Sequence, residues 1–195
     1  TAAVNELREE AEGYLIEGSS TNLLSYSEEF NENIWVKTKC TVSPNTAMSP
    51  NGDMTAYKLI ANNVQGTRIQ VFQRNTVNSG VTYSVTVYLK AAEWKYAIVF
   101  FNSSIFGYAG SGFKIDLINP VDATGVKVKK LTDGWVRVEV IATASLTLNV
   151  PTLSIVPLSS LSDDANNVTG DGVSGIYVFG AQLEALPFAT SYIPT

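Results

Sequence analysis

The sequence predicts an all-β protein, folded as an antiparallel, jelly-roll-like β-sandwich. Short segments of alternating apolar and polar residues are separated by turn residues, a pattern typical of sandwiches with strands every ~8–12 residues. Only 16% of the residues are charged, where about 25% is usual. Thr, Ser, Asn, Val and Tyr take their place, and these residues favour strands and turns. No long helical pattern lies between the segments, and 195 residues suit one domain with a short appendage.

The first 20 residues differ from the rest and predict a connector or short stem. Their apolar residues lie near helical spacing, but Gly13 interrupts the pattern, so we expect at most a helical turn. A short oligomerisation stem and a loosely docked arm are the alternatives. The chain opens with Thr1 instead of Met, so we expect it to be a piece of a longer protein. Residues 21–195 are predicted to form the sandwich domain.

A short helical turn is predicted directly after the connector. Ser27 can cap it, and the two glutamates that follow suit the positive end of the helix dipole. On such a turn Phe30, Ile34 and Trp35 would face one side. We expect these three side chains to be buried together as a plug over one end of the sandwich.

Strands account for most of the remaining chain. The segment 82–91 is the clearest, because Tyr83, Val85, Val87 and Leu89 alternate with polar residues. A long polar loop is expected at 158–175. Strands are predicted at 39–43, 56–61, 67–74, 82–91, 96–101, 112–119, 126–131, 135–143, 146–156 and 175–184.

The last predicted strand and the tail after it are apolar on both sides. Both faces of 175–184 suit burial, which predicts a central strand or one covered by another subunit. Pro187 and Pro194 bracket the tail, and proline does not occur in interior strands. We expect this apolar tail to dock on a neighbouring chain of a homotrimer.

Composition excludes several classes of function. The net charge is −5, the pI is about 4.7 and no basic patch is visible, so we expect no nucleic-acid binding and no attachment to anionic membranes by charge. No export signal and no apolar stretch of membrane-spanning length is visible, so no membrane insertion is expected. Cys40 is the only cysteine, which rules out an intrachain disulfide and suits a small core residue.

Catalysis is not expected from the residues present. The chain has no histidine, which removes the commonest general base at neutral pH and the commonest metal ligand. Glycoside hydrolysis needs two carboxyl groups that flank one bond. The acids on predicted strands, Asp116, Glu139 and Glu184, lie on three different strands, and nothing in the sequence brings two of them together. We therefore expect no enzyme and no cofactor.

A calcium ion is the one metal that the loops could hold. Hard cations need several oxygen ligands, and the loop acids Asp163, Asp164 and Asp171 are the candidates. Solvated loop carboxylates are the favoured interpretation, so no metal site is predicted.

Five segments, taken in order, resemble a β-sandwich domain common in tail fibres, tailspikes and other structural proteins of bacteriophages, which is similar to carbohydrate-binding modules. They are TNLLSYSEEFNENIWVK, SPNGDMTAYKLI, TYSVTVYLKAAE, DGWVRVEV and TGDGVSGIYVFGAQLEALPFATSYIPT. The resemblance covers about residues 13–195. It implies a virion domain of the phage tail, assembled in the bacterial cytoplasm, often trimeric and placed near the host-recognition end. The last strand lacks the acidic residue with which many such sandwiches hold a structural calcium, since Gly180 and Ala181 occupy its middle.

Polar and aromatic residues opposite the predicted aliphatic core are candidates for contact with bacterial surface polysaccharide. Aromatic rings stack on sugar C–H faces, and planar polar groups bond the hydroxyls. Each candidate also has a structural explanation, packing on a neighbour or a surface ion pair. The predicted ligand-binding residues are Arg68, Gln70, Tyr88, Lys90, Trp94, Trp135, Arg137 and Glu139.

The function predicted from the sequence is that of a non-catalytic module of a phage tail fibre or tailspike. It would bind host surface glycan, stabilise the trimer, or do both. The alternatives are a structural trimerisation domain with no ligand, and a module attached to an upstream polysaccharide depolymerase.

Overall fold

Two antiparallel sheets with eleven strands in total form the sandwich, which confirms the predicted fold class. The computed structural model describes residues 19–64, 68–107 and 113–195, and the backbone of two strands within 7–16. Among these residues, helix is limited to one turn, α1 (Ser103–Phe106), and an irregular 3-10 turn at Thr132–Gly134.

The first sheet has six strands in the order β10-β11-β7-β13-β5-β4. All of its neighbours are antiparallel. The last strand of the chain, β13, lies in its interior between β5 and β7, so the prediction of a central strand is confirmed. The strands are β4 (Cys40–Ala47), β5 (Ala56–Ala61), β7 (Thr82–Ala91), β10 (Val126–Lys130), β11 (Trp135–Thr143) and β13 (Gly175–Glu184).

The second sheet has five strands in the order β3-β6-β12-β8-β9. Its neighbours are also antiparallel, and β12 contains a register shift between Pro151 and Leu153. The strands are β3 (Val36–Thr38), β6 (Gln70–Val77), β8 (Tyr96–Phe100), β9 (Phe113–Asp116) and β12 (Leu148–Leu158).

The predicted connector is not helical where the structure describes it. Strands β1 (Leu7–Glu10) and β2 (Gly13–Ile16) pair antiparallel as a separate two-stranded sheet. Gly13 begins the second strand, and its low helix propensity agrees with this arrangement. The rest of the predicted connector up to residue 18 lies outside the described residues.

The main core lies between the two sheets and follows the predicted alternation. Val85, Val87 and Leu89 of β7 are fully buried, and so are Val71 of β6 and Ile155 of β12. Burial of one such aliphatic side chain contributes about 1.5–3 kcal/mol. The period-two pattern of the strands therefore accounts for the sandwich.

The segment after the connector packs against the main core without forming a helix. Phe30 and Trp35 are buried, with ring centroids 4.7 Å apart, and the Trp35 Nε1 donates to the carbonyl of Tyr26 at 2.8 Å. Ile34, which we expected to share this plug, is 43% exposed. The chain folds into turns here, so the helical spacing that grouped the three residues does not apply.

A bulge in β13 changes which of its residues face the main core. The register shifts between Phe179 and Gln182, and Gly180 adopts a left-handed φ of +55°. Ala181 and Leu183 consequently join the main core, although strict alternation placed them on the opposite face with Phe179. Gln182 takes the outward position instead.

Candidate functional site

A second, smaller core covers the outer face of the six-stranded sheet, where several of the predicted binding residues lie. Trp135 is 1% exposed, packs in one cluster with Phe179 and Tyr88, and its Nε1 donates to the carbonyl of Met48 at 3.1 Å. Its ring is therefore not presented to a ligand. Trp94 is also buried, in the main core, so neither tryptophan ring is exposed to a ligand.

The C-terminal tail lies across the same outer face. Tyr192 packs on Tyr88 and on Phe179, with ring centroids 5.9 Å apart in each pair. The tail that we expected to dock on a neighbouring chain thus docks on its own sheet. Phe188 is the exception, because 53% of its surface remains exposed.

Arg137 and Glu139 hold the backbone of this tail. The Arg137 Nη2 donates to the carbonyl of Thr190 at 3.0 Å, and the Glu139 Oε1 accepts the N–H of Ala189 at 3.2 Å. The two side chains also form an ion pair at 3.7 Å. Both were predicted to contact a ligand, and in this structure both contact the tail.

Three buried polar side chains, Asn22, Gln182 and Glu184, join the N-terminal segment to the tail. We call them the polar hub. Glu184 accepts hydrogen bonds from Ser20 and from the Thr190 N–H and hydroxyl. Gln182 donates to Glu184 at 2.7 Å and accepts the Ile193 N–H at 2.7 Å.

Asn22 makes four hydrogen bonds, all of them to backbone. Its Nδ2 donates to the carbonyls of Ala181 and Ile193, both at 2.9 Å. Its Oδ1 accepts the N–H groups of Leu24 at 3.1 Å and Leu183 at 3.0 Å. This role of Asn22 was not predicted from the sequence. The sequence signal that could have indicated the polar hub is the position of its polar residues within segments whose other residues are apolar and predict burial.

Two of the three acidic residues predicted to lie on strands share the outer face of the six-stranded sheet. Glu139 and Glu184 both point outward from the six-stranded sheet and accept N–H groups of successive tail residues, Ala189 and Thr190. The sequence showed no reason for any pair to meet. Asp116 lies on the other sheet, where its Oδ1 accepts the N–H groups of Ile118 and Asn119.

Gln70 begins β6 of the other sheet, and Arg68 lies two residues before it. The Arg68 guanidinium lies 4.8 Å from the ring centroid of Phe100 and donates to Asn166 at 2.9 Å, and burial lowers the pKa of Arg68. The backbone carbonyl of Gln70 accepts a hydrogen bond from the thiol of Cys40 at 3.1 Å. Cys40 is 6% exposed and belongs to the main core, which confirms the prediction of a core residue, and this burial raises the pKa of its thiol to about 12.

The carboxylates of the loop acids accept hydrogen bonds from residues of their own turns. Asp171 accepts the Val173 N–H, the Ser174 N–H and the Ser174 hydroxyl, and these bonds lower the pKa of Asp171 to about 2. Asp163 likewise accepts the N–H groups of Ser159 and Ser160, and Asp164 accepts that of Asn166. Within the described parts of the chain, no three His, Cys, Asp or Glu residues group closely enough for a metal.

An open pocket lies where β7 and β10 end, and it includes one predicted binding residue, Lys90. Its volume is about 260 Å³, just under the ~300–1,000 Å³ of sites for drug-sized ligands. We call it the two-lysine pocket. Its lining residues are Lys90, Ala91, Leu117, Ile118, Lys130 and Gly134.

Strand ends and turns position the lining. Lys90 comes from the end of β7, Lys130 from the end of β10, and Gly134 from the 3-10 turn that leads into β11. Gly134 has a φ of +79°, which suits glycine, and a Cβ there would lie 3.8 Å from Lys90. The side chain of Ile118 is 43% exposed and adds an apolar wall.

Neither lysine of this pocket forms an ion pair within 4.0 Å with a carboxylate of the described residues. The Lys130 Nζ donates to the carbonyl of Ile118 at 3.1 Å, and the Lys90 Nζ lies 5.9 Å from the ring centroid of Trp135. In the described residues, the ion pairs within 4.0 Å are Lys58 with Glu93 and Arg137 with Glu139. The pocket can therefore contact an apolar ligand face and a negative group at once.

No helix among the described residues has both the length and the apolar character needed to cross a membrane.

The comparison with protein-family models found no match, and neither did the comparison with curated proteins. Among solved structures, the chain is similar to the enzymatically active domain of tailspike protein 4 of bacteriophage CBA120. The TM-score is 0.38 and the sequence identity 14%, over 83% of this chain and 21% of that chain. This chain thus spans about a fifth of the tailspike chain it matches.

The expectation that the chain is not an enzyme is corrected by this comparison. The tailspike domain is described as enzymatically active, which contradicts that expectation, and we do not retain it.

Proposed function

We propose that this chain is a module of a bacteriophage tail fibre or tailspike that binds host surface glycan in the two-lysine pocket. The five sequence segments quoted above support the placement in a phage tail. The observation that carries the binding role is the composition of the pocket. It combines an apolar wall with a few polar groups, the usual make-up of a small-ligand site.

The other predicted sites support this choice by elimination. Trp94 and Trp135 are buried, and Arg137 and Glu139 hold the tail. Lys90, one of the predicted binding residues, lines the two-lysine pocket. A volume of about 260 Å³ suits one sugar ring or a small part of a longer glycan.

Binding of the full chain to polysaccharides from candidate host bacteria tests this function. We expect Lys90→Gln and Lys130→Gln to weaken binding by about five- to tenfold, as loss of one charged contact implies. Lys127→Gln is the matched control, because Lys127 is exposed on the same strand as Lys130 and does not line the pocket. Equal binding by all three variants would place the site elsewhere.

We also propose that the module assembles as a homotrimer, and Phe188 is the observation that favours this. Its ring is 53% exposed although the tail around it is docked, and a large exposed aromatic side chain suits an interchain contact. Light scattering should give three times the 21.0 kDa chain mass. Phe188→Ala should lower that mass, whereas Met54→Ala, a control at a residue of similar exposure, should not. A monomeric parent protein would disprove the proposal.

A further inference from the structure

We infer that the two-lysine pocket selects a sugar residue that carries a negative group, a carboxylate or a phosphate. This inference rests on the proposed function and goes further, because it names the chemical class of the ligand.

The distribution of charge is the first argument. The chain has a net charge of −5, with 13 Lys and Arg against 18 Asp and Glu. The pocket reverses this balance, because its six lining residues include two lysines and no acid. Lys90 and Lys130 come from different strands, and both line this one cavity. Two like charges at one cavity favour an anion between them.

The nearby acids do not neutralise the pocket by direct pairing. Asp116 precedes the lining residues Leu117 and Ile118, but its Oδ1 is directed at the N–H groups of Ile118 and Asn119, at 2.8 and 3.1 Å. Asp133 precedes Gly134, is exposed and is absent from the lining. Neither acid forms an ion pair within 4.0 Å with Lys90 or Lys130, in the described part of the chain.

The apolar wall is the second argument, because it distinguishes an anionic sugar from a simple anion. Ala91, Leu117 and Ile118 line the cavity together with the lysines. A free phosphate gains nothing from an apolar wall, whereas the C–H face of a pyranose ring loses its contact with water there. The lysine stems can cover further ring surface while their ammonium groups stay hydrated.

Amide chemical-shift titration of the full chain tests the inference with four probes. These are methyl glucuronoside, methyl glucoside, glucose 6-phosphate and acetate. We expect the amides of Ala91, Ile118 and Gly134 to shift with the glucuronoside or the sugar phosphate, at least fivefold more tightly than with the glucoside. The stronger of the two anionic sugars identifies the source of the charge. Lys130→Gln should remove this preference, and Lys127→Gln should keep it.

The other outcomes separate this inference from the proposed function. Equal affinity for the glucoside and the glucuronoside would overturn the selection of an anion and leave glycan binding intact. Shifts with acetate that equal those with the anionic sugars would show an anion site that ignores the sugar, which also overturns the inference. No shift with any probe would overturn both the selection of an anionic sugar and the binding of glycan in the two-lysine pocket.

Discussion

Asn22 offers the sharpest test of how the N-terminal segment and the tail are held together. The Asn22→Ala substitution removes a buried side chain that donates to two backbone carbonyls and accepts two backbone N–H groups. It therefore disconnects three parts of the chain at once: the segment around Leu24, strand β13 and the tail at Ile193.

The expected loss follows from these four hydrogen bonds. A hydrogen bond contributes about 1 kcal/mol net, and each buried group left without a partner costs about 1–3 kcal/mol. Water that enters the site restores some of these bonds. We expect the free energy of unfolding to fall by about 4 kcal/mol, a large part of the ~5–15 kcal/mol of an ordinary domain.

Urea unfolding followed by tryptophan fluorescence measures this loss. Asn149→Ala is the control, because Asn149 is exposed and its side chain makes one long hydrogen bond to Thr76 at 3.4 Å. It should cost less than about 0.5 kcal/mol. The Leu183 amide should also exchange its hydrogen faster in Asn22→Ala. A loss below about 1 kcal/mol would show that the polar hub does not stabilise the fold as argued.

Three further outcomes are expected. Trp135→Ala should cost about 3–5 kcal/mol in urea unfolding because the ring is buried; an unchanged midpoint with altered glycan binding would instead make Trp135 a binding residue. Gly175→Ala should prevent soluble folding, because a Cβ there would overlap the Leu59 carbonyl. In the control Gly172→Ala the added Cβ meets no atom within 4 Å, so the free energy of unfolding should fall by only about 1 kcal/mol, because of the φ of +82° at Gly172. Cys40 should react with thiol reagents at pH 8 only after unfolding. Because the folded pKa of about 12 exceeds the ordinary 9.0, stability should fall as pH rises from 9 to 12, and a flat profile there would contradict this.

The tail shows why the predicted binding face became a second core. Sequence alternation correctly placed Tyr88, Lys90 and Trp135 opposite the main core. It could not show what lies on top of them. Tyr192 reaches Tyr88 from about a hundred positions along the chain, and the energy of that contact appears only once the tail has docked. Burial of an outward face is therefore a property of the assembled fold.

The two-lysine pocket is likewise a property of the assembled fold that the sequence alone did not predict. Lys90 was predicted as a binding residue from its strand face, but Lys130 and Ile118 were not. Their meeting depends on where β10 and the segment after β9 end, and no local pattern encodes that. Glycan binding at this pocket stays a prediction until it is measured.

The sequence alone determined the fold class, most of the strands and the aliphatic core between the sheets. This was possible because the alternation of apolar and polar residues with a period of two is a local property. Within each strand, the positions of the apolar residues show which face is buried. The tertiary structure alone decided the bulge at Gly180, the polar hub and the cover over the outer face. Each of these depends on hydrogen bonds or ring contacts between distant segments, such as Asn22 with Ile193, and such pairings exist only after the chain has folded.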